Sequence, residues 1–202
     1  PGQGRTRLGV MGGTFYPPHL GHLAAASEVH HRLDLDEVVL VPAGDPWQKT
    51  QAGRVPTAAQ HRLAMTRLAV AGDDRFTVST VDLDRSGPTY TADTLADLRR
   101  ARGSQTELFL ILGADAIAGL PTWHRLDEVL AACTIVGVTR PGYDLQPPGP
   151  PVGEVMTIDL PGTAISATEC RERFAANVPN KYLVTDSVIE YVREHALYGG
   201  AA

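Results

Sequence analysis

Residues Leu8-Gly9-Val10-Met11 run straight into Gly12-Gly13-Thr14-Phe15-Tyr16-Pro17-Pro18 and on to His19-Leu20-Gly21-His22. The apolar run reads as a strand, and helical spacing begins near Leu20, so the segment is a strand–loop–helix unit. Gly12 and Gly13 leave the strand end without side chains, which lets backbone N–H groups approach a polyphosphate. The helix N-terminus beyond them carries partial positive charge suited to an anion. His19 and His22 stand three apart, so at a helical start they share one face and can hydrogen-bond one phosphate together. The loop lacks a Gly-Lys-Ser/Thr tip and is not the lysine-tipped phosphate loop. The histidine spacing would also suit two zinc ligands, but no Cys/His cluster supplies a third, and no metal ligand is assigned.

Outward from this unit, short apolar or β-branched runs alternate with helix-period segments. Strands are expected at Arg7–Met11, Glu37–Pro42, Phe76–Leu83, Leu108–Leu112, Thr134–Val138 and Val155–Leu160. Helices are expected at Leu20–Leu33, Thr57–Ala71, Thr91–Arg102, Trp123–Ala132, Ser166–Ala176 and Asp186–His195. Val38–Val41 and Leu108–Leu112 are apolar throughout, as strands covered on both faces should be. The pattern predicts an α/β fold with a Rossmann-like, doubly wound parallel sheet. It is read as one domain over 1–202, with a C-terminal helical part from about residue 161. Ligands in such sheets bind beyond the carboxyl ends of the strands, where strand order reverses. The Gly12–His22 loop, the Gly44–Lys49 loop and Gly113-Ala114-Asp115 all follow strands and are expected to converge there. Gln146–Gly153, rich in Pro and Gly, reads as a surface loop because a strand-like run follows it.

The composition narrows the class. With 202 residues, 43% hydrophobic and 20% charged, the chain is long enough for one sizeable core. A net charge of −5 argues against a general nucleic-acid binder, so a phosphate ligand must meet a local basic cluster. No apolar run approaches the ~20 residues of a membrane span. Two cysteines, Cys133 and Cys170, in apolar and helix-like surroundings give no disulfide framework. No signal-like segment stands before the first strand, and the cytoplasm is the expected location. Of 18 basic side chains only two are lysine, Lys49 and Lys181, which gives a loop lysine interest as a compact point charge.

Five further segments each carry two readings. In Ile165-Ser166-Ala167-Thr168-Glu169-Cys170-Arg171, a hydroxyl caps a helix, or hydroxyls, N–H groups and an arginine one turn in form a second phosphate cradle. Gly87-Pro88-Thr89-Tyr90-Thr91-Ala92-Asp93-Thr94 is a turn and a helix start with an acidic first turn, which by itself explains the composition. The indole of Pro121-Thr122-Trp123-His124-Arg125 belongs to the core or to a stacking platform. Pro46-Trp47-Gln48-Lys49 offers a solvated lysine or a ligand contact, and Arg140-Pro141-Gly142 ends a strand in a turn.

Taken together, these segments resemble the bacterial nicotinate-mononucleotide adenylyltransferases of the HxGH nucleotidyltransferase superfamily, over nearly the whole chain. The resemblance extends to the closing Tyr182-Leu183-Val184 and Val188, Tyr191 and Val192. Gly-Pro-Thr-Tyr-Thr and Leu-Pro-Thr-Trp are the segments that point to nicotinate mononucleotide. The resemblance implies adenylyl transfer in NAD biosynthesis: ATP and nicotinate mononucleotide give deamido-NAD and pyrophosphate, with Mg²⁺ accompanying ATP. It places His19, His22 and Arg171 in the catalytic role. Gly12, Gly13, Thr14, Phe15, Gly113, Asp115, Ser166 and Thr168 are implied at ATP. Lys49, Thr89, Thr91, Trp123 and Arg140 are implied at the mononucleotide, with Trp123 stacked on the pyridine ring and Thr89 and Thr91 near its carboxylate. No nucleic acid or membrane partner is implied, and a homo-oligomer is left open.

Two positions depart from the family pattern. Tyr16 stands where aspartate is usual, and Ala167 where a second serine is usual. A phenol at position 16 is expected to point into the mouth of the site or out over the surface, and Tyr16→Asp is expected to raise kcat/KM. The rival readings are a related adenylyltransferase for nicotinamide mononucleotide or phosphopantetheine, and a binding protein on the same scaffold. The intact His19, His22 and Arg171 favour an enzyme.

Overall fold

The computed structural model describes residues 5–44, 56–139, 146, 148–162 and 164–199. Six strands, β1 (Arg7–Gly13), β2 (Glu37–Pro42), β3 (Phe76–Val78), β4 (Glu107–Gly113), β5 (Thr134–Thr139) and β6 (Met156–Asp159), form one sheet in the order β3-β2-β1-β4-β5-β6. Every neighbouring pair is parallel. Parallel neighbours need long crossovers. Helices α1 (Leu20–Arg32), α2 (Ala59–Val70), α3 (Thr91–Arg102), α4 (Ala114–Gly119) and α5 (Leu126–Ala132) lie on those connections. Two more, α6 (Ala167–Ala175) and α7 (Asp186–Glu194), follow the last strand.

Alternation along β4 shows how the sheet divides its core. Leu108, Leu110 and Leu112 join the cluster that holds Leu95 and Leu98 of α3 and Val129 of α5. Phe109 and Ile111 join the opposite cluster, with Ala25, Ala26 and Val29 of α1. Successive side chains point to opposite faces, so a strand apolar at every position must be covered on both. At Gly9 of β1 a Cβ would come within 2.9 Å of Leu35 Cδ1 and Val38 Cγ2, so a side chain there would displace the packing. The C-terminal helices do not stand apart: α6 and α7 share a third cluster with Met65 and Ala69 of α2. On α7 the buried Val188, Ile189 and Val192 form the apolar stripe of an amphipathic helix.

Two boundaries differ from the sequence reading, and one helix is added to it. β3 stops at Val78 rather than Leu83, because it pairs with β2 only over Val38–Leu40 and the chain then turns. Leu83 and Asp84 both donate their N–H to Thr80 O, and this turn brings Asp82 back toward the sheet. The helix expected from Trp123 begins at Leu126, since Arg125 adopts φ 54°, outside the right-handed helical region. Trp123 instead closes a 3₁₀ turn at Leu120–Thr122, and α4, absent from the sequence reading, precedes it. The Pro/Gly-rich segment before β6 forms a turn at the surface, as expected: Gln146, Pro150 and Pro151 are outside the core.

Candidate active site

Pairing between β1 and β4 ends at Val10↔Leu110. Beyond it β1 stays with β2 as far as Gly13↔Pro42, and β4 stays with β5 as far as Gly113↔Val138. The two central strands therefore part at the point where strand order reverses, the place where open α/β sheets bind ligands. A cleft of about 240 Å³ lies there. Gly12, Gly13 and Thr14 line one side, Thr89 and Thr91 a second, and Trp123 with His124 a third. Six residues picked from three separate sequence segments thus face one cavity.

His19 is the N-cap of α1 and is 8% exposed. Its backbone N–H donates to His22 Nδ1 at 3.1 Å, a bond that ties the two positions together. Because that ring nitrogen accepts, a neutral His22 carries its proton on Nε2 and presents that atom as a donor. The two rings stack with centroids 3.7 Å apart and planes at 27°. Gly21 suits the spacing of the motif: a Cβ there would sit 3.0 Å from His19 Nδ1, so a side chain at this position would push the His19 ring from its place over the first turn. The Leu20 N–H donates to Leu183 O at 2.9 Å, so one of the helix-start amides serves the fold and not an anion.

The two loop glycines have different tasks. A Cβ on Gly12 would meet nothing within 4 Å, so this position is open to a ligand. At Gly13 a Cβ would sit 3.0–3.3 Å from the Phe15 ring. Close approach of the Phe15 ring favours glycine at position 13, which also lines the cleft. Phe15 has φ 49° and turns its ring into the core and edge-on to His22, at 5.1 Å between centroids. It supports the imidazole pair from below.

Ile165 approaches the histidine turn, its Cβ lying 3.6 Å from a Cβ built on Gly21. This contact brings the second motif beside the first. Ser166 caps α6, its Oγ accepting from Glu169 N–H at 3.1 Å. The Arg171 guanidinium donates through Nη1 to Tyr16 O at 2.9 Å and through Nη2 to Thr168 Oγ1 at 3.0 Å. Its Cζ also lies 4.0 Å from the centre of the Tyr16 ring. The expectation for Tyr16 is therefore corrected. The phenol is 7% exposed and points neither into the mouth nor over the surface; it forms the platform on which Arg171 rests. Aspartate at this position no longer has a reason to raise activity.

On the opposite wall, Asp82 is 4% exposed, and its Oδ1 accepts from Thr94 Oγ1 at 2.6 Å and Arg85 Nη1 at 3.3 Å. Burial raises its carboxyl above the usual range, against the pull of these two donors. The Tyr90 and His124 rings lie 4.4 Å apart at the cleft. Arg125 pairs with Asp93, joining the Trp123-His124 turn to the first turn of α3. Trp123 is half-buried, packing partly on the core while lining the cleft, so both of its sequence readings hold in part. Gly113 and Asp115 are exposed at the end of β4 and the start of α4, on the same sheet edge but outside the cleft lining. Lys49 and Arg140 lie outside the described residues.

Two positions beside the cleft, Asp82 and Arg62, were not singled out in the sequence, and Gly44 figured there only as the start of a loop. Asp82 was hidden in an expected strand. Gly44 follows β2, and a Cβ on it would fall 2.1 Å from Asp82 O. Arg62 sits on the buried face of α2, with Met65, Thr66, Ala69 and Val70. A charged residue in phase with an apolar stripe was the available signal. Among the described residues no group of three or more His, Cys, Asp or Glu side chains lies together. Burial pushes the free thiols of Cys133 and Cys170 up to about 12 and about 11, so both are poor nucleophiles.

A family model described as cytidylyltransferase-like matches residues 10–173, and the chain belongs to that family of nucleotidyltransferases. A protein of Leifsonia xyli subsp. xyli named "Probable nicotinate-nucleotide adenylyltransferase" is 52% identical over 198 residues, which is 98% of this chain and 96% of that one. Another of the same name from Saccharopolyspora erythraea is 50% identical over 196 residues, 97% of this chain and 91% of that one. Within the wider family, the chain belongs with the nicotinate-nucleotide adenylyltransferases. The fold is shared with the solved structure of Plasmodium falciparum nicotinic acid mononucleotide adenylyltransferase complexed with NaAD. The TM-score is 0.77 and the identity 17%, with 98% of this chain and 99% of that chain covered. The same enzyme complexed with APC matches with a TM-score of 0.77 at 16% identity.

Proposed function

We propose that the chain transfers the adenylyl group of ATP to nicotinate mononucleotide, releasing pyrophosphate and forming deamido-NAD. The observation that carries this reading is the cleft at the β1/β4 parting, lined by Trp123, Thr89 and Thr91, together with the stacked imidazole pair at the start of α1, where the loop from β1 ends. Relatives at about half identity over nearly full length carry the same activity in their names. A phosphate oxygen of the mononucleotide attacks the α-phosphorus of ATP; that P–O bond forms as the bond to pyrophosphate breaks. The nucleophile is already an anion, so no strong base is needed. The work is to hold two anions in line and meet the charge growing on the leaving group.

His22 Nε2–H, the His19 ring and the Arg171 guanidinium are the donors for the triphosphate, and Thr168 steadies Arg171. Gly12 leaves room for the nucleotide, and Gly113 and Asp115 take the adenosine at the sheet edge. Trp123 stacks on the pyridine ring, with Thr89 and Thr91 at its carboxylate. Lys49 and Arg140 serve the mononucleotide's phosphate or ribose. Mg²⁺ enters with ATP, neutralising part of the triphosphate charge. When bound, the ion would be carried largely by phosphate oxygens and water, a mode it favours. The free thiols suit a reducing cytoplasm.

Pyrophosphate release from ATP, measured with nicotinate mononucleotide, with nicotinamide mononucleotide and with neither, tests the reading. Release that depends on the mononucleotide and favours the acid is expected. Release indifferent to the mononucleotide, or favouring the amide, overturns it.

A further inference from the structure

Arg62 is 2% exposed and lies behind the nucleotide loop, at the centre of α2's buried face. Each of its three guanidinium nitrogens donates to a backbone carbonyl: Nε to Thr57 at 2.9 Å, Nη1 to Thr14 at 3.0 Å and Nη2 to Gly44 at 3.1 Å. One rigid guanidinium fork thus joins the loop after β1, the loop after β2 and the approach to α2. Among the described residues no carboxylate forms an ion pair with it. Among the described titratable groups Tyr198 alone couples to it, and burial pushes that phenol up to about 12, so at neutral pH it is uncharged and supplies no counter-charge. Burial also draws the guanidinium below its ordinary value, the mark of a cation taken from water without a full counter-charge.

A buried, unbalanced cation is costly to the fold. Three carbonyl dipoles offset part of that cost, and among the described residues no carboxylate balances the positive charge that the guanidinium places beneath Thr14, the residue that lines the cleft beside Gly12 and Gly13. Thr14 also answers to its geometry. In a trans peptide C=O and N–H point in opposite directions, so pinning Thr14 O toward Arg62 turns the Phe15 N–H away from α2. We propose that Arg62 is a positioning residue for the triphosphate. It sets the Thr14–Phe15 peptide and supplies buried positive potential under the loop, without touching the nucleotide. This rests on the adenylyltransferase reading for the identity of the anion. It adds a cation of the site that carries no direct ligand contact.

The test compares ATP with adenosine, which lacks the phosphates, as binding probes for the parent, Arg62→Met and Arg62→Lys. Binding is measured by calorimetry with no mononucleotide present, on protein whose thermal unfolding confirms a folded state. For Arg62→Met, Kd for ATP should rise at least ~10-fold while Kd for adenosine stays within ~2-fold, since a screened charge at this range acts on the phosphates alone. Arg62→Lys keeps the charge but not the three-way fork, and should shift the ATP-to-adenosine ratio the same way by a smaller factor. If Arg62→Met does not fold, the lysine variant decides by the same ratio. Equal weakening of both probes, or no change in either, would show that Arg62 only holds loops together and overturn the proposal. Pyrophosphate release by the parent is assayed alongside. Its failure would sink the adenylyl-transfer reading, whereas the binding ratio alone decides Arg62.

Discussion

Gly44→Ala puts one methyl group where the structure has no room for it. The new Cβ would lie 2.1 Å from Asp82 O and 3.0 Å from Asp82 C, with Thr89 Oγ1 at 3.3 Å. Real Cβ contacts do not fall below 3.0 Å, so the Asp82 segment must retreat by about 0.9 Å. The obstacle is backbone, which cannot rotate aside. Two bonds oppose the movement on Gly44's side: Ala43 N–H to Gly13 O at 2.8 Å, and Arg62 Nη2 to Gly44 O at 3.1 Å. Overpacking of this kind costs roughly 1–3 kcal/mol. It outweighs the ~0.4–1 kcal/mol that Gly→Ala returns by restricting the unfolded chain. Mid-range values leave a net loss of about 1.3 kcal/mol; for a domain of this size each kcal/mol moves Tm by ~2–4 °C, so a fall of about 3–5 °C is expected. Asp82 and Thr89 both line the cleft, so the displacement should raise KM for the mononucleotide by ~3–10-fold. Gly12→Ala is the control, because its Cβ meets nothing within 4 Å. That variant should keep Tm within ~1 °C and raise KM for ATP, since the methyl enters the space left for the nucleotide. Differential scanning calorimetry with steady-state kinetics reads all of these. A Gly44→Ala protein with parental Tm and KM would refute the argument that Gly44 is held by contact with Asp82.

His22→Ala removes a donor to the leaving group and should lower kcat by at least ~10²-fold; a variant that turns over like the parent would remove the imidazole pair from the mechanism. The same change deletes the acceptor for His19 N–H at the start of α1, so a Tm loss equivalent to ~1 kcal/mol should accompany it in thermal melts. Trp123→Ala should raise KM for the mononucleotide well above any change in KM for ATP; equal effects would return the indole to the core alone. Tyr16→Ala removes a buried ring and the platform under Arg171, and should destabilise the fold by ~3 kcal/mol and depress kcat/KM. Tyr16→Phe keeps the ring, so its kcat/KM should stay within ~3-fold of the parent; if the two variants are equally impaired, the stacking on Arg171 is not what matters.

Much of this protein is written in short-range patterns. The all-apolar run of β4, the helical spacing after Leu20 and the His19–His22 interval are local, and local geometry decides them: a strand alternates every residue, and a helix repeats every 3.6. These features determined the doubly covered parallel sheet and the loop that faces its carboxyl edge. Motif content determined the family, because several spaced segments agree over the whole chain. The tertiary structure decided what depends on partners far along the chain. Tyr16 is governed by Arg171 of α6, which no reading of positions 12–22 could place above it. Glycine at position 13 is favoured by the ring of Phe15, whose φ is positive only because the loop must turn there. Asp82 reaches the cleft because an edge strand with one short-paired neighbour stops early, and Gly44 is glycine because Asp82 arrives. Arg62 would pass in sequence for a stray charge on a helix. Only folding carries the carbonyls of Thr14, Gly44 and Thr57 to one guanidinium, since hydrogen-bond partners remote in sequence are chosen by packing and not by spacing.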